Sequence, residues 1–170
     1  MCLIYRFNVP NRFQNIQFRQ EISGWRYMEL AEAIPLLTEN HTAVAITVNK
    51  AGNPQSTVVT TGMVDGKLCW ISRGRTIKVK NIERTGRATV TVLNLVTRRY
   101  VTVEGTAIIS HWPEETDEID DHVKLLKEVY IAMDRSPSQS DFEFSETMKE
   151  EKRTVISITP EFVYGSLTQR

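Results

Sequence analysis

Residues Leu68 to Gly86 read LCWISRGRTIKVKNIERTG. Leu68 to Ser72 predict a buried strand, Arg73-Gly74-Arg75 a basic turn, and the residues from about Thr76 to Gly86 a short helix. A strand that runs straight into a helix N-terminus gathers unpaired backbone N–H groups, the positive end of the helix dipole and cationic side chains, which together suit a phosphate. The same composition also makes an ordinary solvated turn. The neighbouring sequence decides between the two.

On the N-terminal side, His41 to Asn49 (HTAVAITVN) is rich in β-branched residues and ends at the turn-forming Lys50-Ala51-Gly52-Asn53-Pro54. Gln55 to Val64 then returns antiparallel, and Asp65-Gly66 makes a tight hairpin into Lys67–Ser72. On the C-terminal side, Ala88 to Asn94 and Arg99 to Ser110 predict two more strands, and Thr154 to Tyr164 (TVISITPEFVY) a last one. Pro160 has no N–H for a ladder, so that last strand is expected at an edge or bent. Short strands joined mostly by tight turns point to a closed or nearly closed antiparallel barrel, not to an open parallel sheet.

Helices are expected around the barrel. Met28, Leu30, Ala31, Ala33, Ile34 and Leu37 suit an amphipathic helix over Tyr27–Leu37, which Pro35 would divide or end. Ile119, Val123, Leu126, Tyr130 and Met133 recur at helical steps within Glu114–Met133, and Phe142–Glu151 suits a shorter helix. Residues 1–24 show no period and are expected to form an extended N-terminal arm of a single domain spanning 1–170.

The chain has 170 residues, 41% apolar and 25% charged, an ordinary globular composition. With 21 Lys plus Arg against 21 Asp plus Glu, no net field draws it to nucleic acid or to an anionic membrane. No apolar run approaches a membrane span and no signal-peptide core develops, so a cytoplasmic protein is expected. Cys2 and Cys69 give no disulfide framework.

Catalytic side chains are scarce. His41, His111 and His122 are scattered without metal-ligand spacing, so no metal site is expected. No G-x-S-x-G elbow, Walker loop or G-x-G-x-x-G occurs. Such poverty suits a protein whose cofactor carries the chemistry and which supplies binding, orientation and electrostatics.

S-R-G-R-T-I-K-V-K-N at 72–81, followed by R-Y-V-T-V-E-G-T-A at 99–107, resembles the split-barrel flavoprotein family of pyridoxamine phosphate oxidases, and in particular its flavin- or deazaflavin-dependent branch. The resemblance covers roughly residues 34–110 and 153–165. It implies a mainly β, six-stranded antiparallel split barrel of the FMN-binding type, and an oxidoreductase that passes hydride to a small conjugated or quinone-like substrate. The implied cofactor is deazaflavin F-420, with FMN the alternative. Alternative functions are non-catalytic storage of flavin or haem, and an FMN-dependent pyridoxamine phosphate oxidase.

Carried over residue by residue, the resemblance puts Ile71 in the cofactor site and the cofactor phosphate against the hydroxyls of Ser72 at the strand end and Thr76 at the helix start, with Lys78 as the charge. Arg73 and Arg75 would add charge, or reach the longer anionic tail of F-420, or merely solubilise the turn. Asn81 matches a polar cofactor position and equally suits a tether for the turn. Thr57, Val58, Val59 and Thr60 correspond to the segment along which the ring lies, although relatives often carry a proline and an aromatic where this chain has Val58 and Thr60. Family members are homodimers with the cofactor between barrels, so Arg99 and Tyr100 would serve the partner's site or pack at a strand edge.

Overall fold

The computed structural model describes residues 26–115, 118–136 and 140–168. Its strands are β1 (Arg26–Tyr27), β2 (Thr42–Val48), β3 (Pro54–Thr60), β4 (Gly62–Val64), β5 (Lys67–Arg73), β6 (Arg87–Leu93), β7 (Tyr100–Ser110) and β8 (Arg153–Ser166). The helices are α1 (Leu30–Glu39), α2 (Ile77–Thr85), α3 (Ile119–Ala132) and α4 (Asp141–Glu150). The expected arm at 1–24 lies outside the described residues.

The strands form one antiparallel sheet in the order β3-β2-β6-β7-β8-β5-β4, with β1 on β8. Its two edges are halves of a single extended segment, since only Thr61 separates the end of β3 from the start of β4. The sheet must therefore curl until its first and last strands are chain neighbours, which gives the split barrel. The six expected strands are all present. The segment expected as one strand over 55–64 breaks at Thr61 because its first half pairs with β2 and its second with β5.

Inside the barrel, Leu68, Trp70, Val90, Val92, Val101, Val103, Ile156 and Ile158 pack with Leu37 of α1 and with Val79 and Ile82 of α2. On the other side of β5, Cys69 packs with Val155, Leu126, Val129 and Phe144, where α3 and α4 cover the sheet. Both faces of β5 are thus buried, which is why its sequence reads as an unbroken apolar run. Cys69 behaves as a small hydrophobe, and burial raises its thiol pKa to about 11.

Three details differ from expectation. Helix α1 begins at Leu30, not Tyr27, and runs through Pro35 to Glu39; Pro35 is exposed, so solvent can serve the carbonyl whose partner N–H it lacks. Strand β8 is not an edge but central, lying between β7 and β5, so of the two expected alternatives for Pro160 the bent one holds. Its Pro160 falls beyond the last β5 partner, Ile158, and beside a bulge where Glu104 faces Phe162 but Gly105 faces Pro160. Gly105 is required there, because a Cβ would sit 1.9 Å from the Thr159 carbonyl oxygen.

Candidate functional site

Strand β5 delivers Ser72 to the inner face of the barrel mouth, 3% exposed, and the chain turns through Arg73–Arg75 into α2. Gly74 N–H donates to the Lys152 carbonyl at 3.1 Å and Thr76 N–H to the Arg73 carbonyl at 3.2 Å, which fixes the turn. Thr76 is the N-cap residue of α2, yet its side chain caps nothing. Its Oγ1 lies instead 3.1 Å from Ser72 Oγ. The first in-helix donor is Lys80 N–H, to Thr76 at 3.2 Å, so the N–H groups of Ile77, Lys78 and Val79 have no helical acceptor.

The other helices treat this end differently. Helices α1 and α3 carry acidic residues in their first turns, Glu32 and Asp120 with Asp121, and α4 has a capping box from Ser140 and Glu143. Helix α2 has no acid in its first turn. It has Lys78, a cation at the positive end of the helix dipole, which is unfavourable unless an anion stands by. Burial pushes the Lys78 ammonium below its ordinary pKa, and nearby Arg153 lowers it further. Among the described residues no carboxylate pairs with it. Two hydroxyls, free helix N–H groups and an uncompensated cation form a donor set that fits a phosphate.

Pairing with β8 adds residues that lie some eighty positions away in sequence, about the separation of Arg73 and Arg153, which face each other, as do Ser72 and Thr154. Glu151 bridges the two arginines: Arg73 Nη2 donates to its Oε1 at 2.5 Å and Arg153 Nε to its Oε2 at 2.5 Å. Those bonds, Arg73 first, hold the Glu151 carboxyl below the usual range. Thr154 is fully buried and its hydroxyl has no partner among the described residues. Behind it, His122 Nε2–H donates to the Arg153 carbonyl at 3.1 Å, and burial lowers the pKa of this imidazole. Arg153, Thr154 and Glu151 were not legible as site residues, since strand register alone brings Thr154 to Ser72 and Arg153 to Arg73, and Glu151 comes with Arg153 from the end of α4.

The segment expected to carry the cofactor ring is tied to α2 by a hydrogen-bond chain. Asn81 Nδ2 donates to Thr47 Oγ1 at 3.0 Å, Thr47 Oγ1 to Gln55 Oε1 at 3.0 Å, and Gln55 Nε2 to Thr57 Oγ1 at 2.7 Å. Asn81 is 5% exposed, so its amide serves as the tether that the sequence left as an alternative. Val58 is 73% exposed on edge strand β3, and Val59 packs toward the core. Thr60 Oγ1 accepts from Arg135 Nη2 at 3.3 Å. Ile71 turns its side chain to the cluster beneath α3 and α4, which leaves its backbone on the strand.

The cationic surplus around α2 is partly engaged. Arg73 pairs with Glu151, Arg87 pairs with Glu161 at 3.0 Å, and Arg84 donates to the Val48 carbonyl. Arg75 and Lys80 are exposed and unpaired among the described residues. Arg99 and Tyr100 stand far from all of these. Val155, next to Thr154, faces Ser110 at one end of β7, whereas Tyr100 is at the other end, opposite Ser166. An 11-residue strand spans roughly 35 Å. Within one chain, Tyr100 and Ser72 therefore cannot meet one phosphate.

A comparison with curated protein sequences gives no match. Solved structures do resemble the fold. A conserved hypothetical protein from Mycobacterium tuberculosis aligns with a TM-score of 0.62 at 19% identity, over 82% of this chain and 85% of that one. An F420 reductase aligns with a TM-score of 0.56 at 17% identity, over 76% and 93%. A pyridoxamine 5'-phosphate oxidase-related, FMN-binding protein from Nostoc punctiforme aligns with a TM-score of 0.55 at 14% identity, over 79% of each chain. At these identities the likeness is one of fold. The sequence model of the family described as pyridoxamine 5'-phosphate oxidase matches residues 30–166, and with the curled antiparallel sheet it establishes that the chain belongs to the pyridoxamine 5'-phosphate oxidase family of split-barrel proteins.

Proposed function

We propose that the protein is an oxidoreductase that holds the phosphate of a deazaflavin or flavin at the Ser72–Lys78 turn and serves a small conjugated or quinone-like acceptor. The observation that carries this reading is the N-terminus of α2, left without acid or side-chain cap while Lys78 stands there unpaired. When bound, the ring system would supply hydride transfer. The chain would bind the phosphate through the α2 N–H groups, Ser72, Thr76 and Lys78. The Asn81–Thr57 hydrogen-bond chain would set the distance between that turn and the ring segment on β3. Arg99 and Tyr100 would act on the site of a second copy, which the length of β7 favours over action on their own.

F-420 is the cofactor we favour, because its anionic tail would give Arg75 and Lys80 something to contact beyond the phosphate. FMN is the second reading, favoured by the engagement of Arg73, Arg84 and Arg87 with groups of the chain itself. Separate titrations of the purified protein with F-420 and FMN at low and high salt test the choice. Tighter binding of F-420 with a steeper loss in salt is expected; equal affinity and equal salt dependence would make FMN the cofactor. Reduced cofactor that stays reduced in the presence of quinone acceptors would move the protein to the storage class.

A further inference from the structure

Around the turn, Glu151 holds Arg73 and Arg153 together, the charge of Arg153 reaches Lys78, and among the described residues Glu151 is the one carboxylate bonded to any of the three. The arrangement carries two positive charges more than negative, to which the α2 dipole adds. A phosphate monoester near neutral pH carries about −1.5 to −2. The charge of the cluster is thus complementary to that of one phosphate, and not to that of a neutral ring. Burial sharpens the point: the Arg153 and Glu151 side chains are 28% and 27% exposed, against 64% for Arg73. Arg153 places both Nε and Nη2 on the same Glu151 oxygen, each at 2.5 Å, which leaves Nη1 outside the pair.

We propose that Arg153 binds the cofactor phosphate together with Lys78, and that Glu151 is a positioning carboxylate that orients Arg153 and Arg73 while competing with the phosphate for their charge. This rests on the phosphate reading of the Ser72–Lys78 turn. Two opposed consequences follow. Removing the Arg153 cation weakens phosphate binding. Replacing Glu151 by its neutral isostere, which can still accept from the guanidinium groups, strengthens it. A purely structural ion pair would give loss in both cases.

The test is fluorescence titration of the full chain with FMN, and with riboflavin, which has the same ring and no phosphate. Arg153→Met should weaken FMN binding about tenfold, the usual loss for a charged hydrogen bond in a partly buried site. Glu151→Gln should tighten it about threefold, in keeping with a screened, partly exposed charge. Riboflavin affinity should not change in either variant. Should Arg153→Met fail to fold by circular dichroism, Arg153→Lys takes its place, with an expected weakening of a few-fold because the fork is lost. FMN affinity that is unchanged in the Arg153 variant, or unchanged or weakened in Glu151→Gln, overturns the inference while Lys78→Met still weakens FMN. If Lys78→Met is also without effect, it is the phosphate reading of the turn that fails.

Discussion

The two ends of helix α2 are built on opposite plans. At the C-terminus, Gly86 takes the left-handed conformation at φ 63° and its N–H donates to Ile82 at 2.7 Å. Thr85 Oγ1 donates to the Asn81 carbonyl at 2.9 Å, Arg87 pairs with Glu161, and Arg84 donates to Val48. At the N-terminus a threonine stands in the cap position and does not cap, and a lysine stands where the dipole prefers an acid. One chain folding under one set of forces satisfies one end and leaves the other open. The closed end serves stability; the open end, on the function proposed above, serves binding. Substitutions at the two ends should therefore separate in what they change.

The largest effect is expected where the closed half meets the core. Ile82 is 1% exposed between α2 and the barrel interior, so Ile82→Ala should lower the unfolding free energy by about 3 kcal/mol in a denaturant titration. FMN affinity of the folded variant should change little. A variant of normal stability that had lost FMN would break the division between the ends. Lys78→Met is expected to do the reverse, weakening FMN by roughly 1–3 kcal/mol without loss of stability. Burial lowers the folded pKa of Lys78, so the native state disfavours its charge at neutral pH. Wild-type stability should therefore rise relative to Lys78→Met as pH climbs from the lowered value toward the ordinary lysine value, and thermal melts between pH 7 and 10 measure this.

Much of this contrast was legible in residues 76–86, since a threonine and a glycine bracket the helix and the cations crowd its first turn. The strands were legible for a similar reason: β-branched residues alternate in 42–48 and 87–93, a local signal, and the curled sheet buries one face of each, Ala43, Ala45 and Thr47 in β2 and Ala88, Val90 and Val92 in β6. What was not legible is non-local. The break at Thr61 arises because one segment pairs with two strands at opposite edges of the sheet, which no period within 54–64 reports. Arg153 reaches Arg73 by register and Glu151 bonds both from the end of α4, and Asn81 finds Thr47 on β2, 34 positions away in sequence. The carry-over of Arg99 and Tyr100 concerns a second copy, about which the fold of one chain says only that its own phosphate turn is out of their reach.

A smaller effect is expected at Gly86. A Cβ there would meet nothing within 4 Å, so Gly86→Ala has only its left-handed backbone to resist it. The variant should lose about 1 kcal/mol of stability, with FMN affinity unchanged. A larger loss would mean that the closed end holds more than its hydrogen bonds indicate. An altered FMN affinity would mean that strain at one terminus travels the nine residues of α2 to the other.

The smallest effect, and the sharpest contrast with the ordinary role of the residue, is expected at Thr76. A threonine that caps a helix loses about 1 kcal/mol of protein stability when changed to alanine. Thr76 occupies the cap position with its hydroxyl 3.1 Å from Ser72 Oγ and no bond to the helix N–H groups. Thr76→Ala therefore removes no cap. It removes one neutral hydroxyl pair, and it leaves the N–H groups of Ile77, Lys78 and Val79 as they were. Stability should stay within about 0.5 kcal/mol of wild type, while FMN binding should weaken by about 0.5–1.5 kcal/mol, less than for Lys78→Met because a neutral donor is lost and not a charge. Parallel denaturation and FMN titration of the single variant measure both quantities. A stability loss near 1 kcal/mol with FMN affinity untouched would show Thr76 to be an ordinary cap, and the open end of α2 would then be closed like the other.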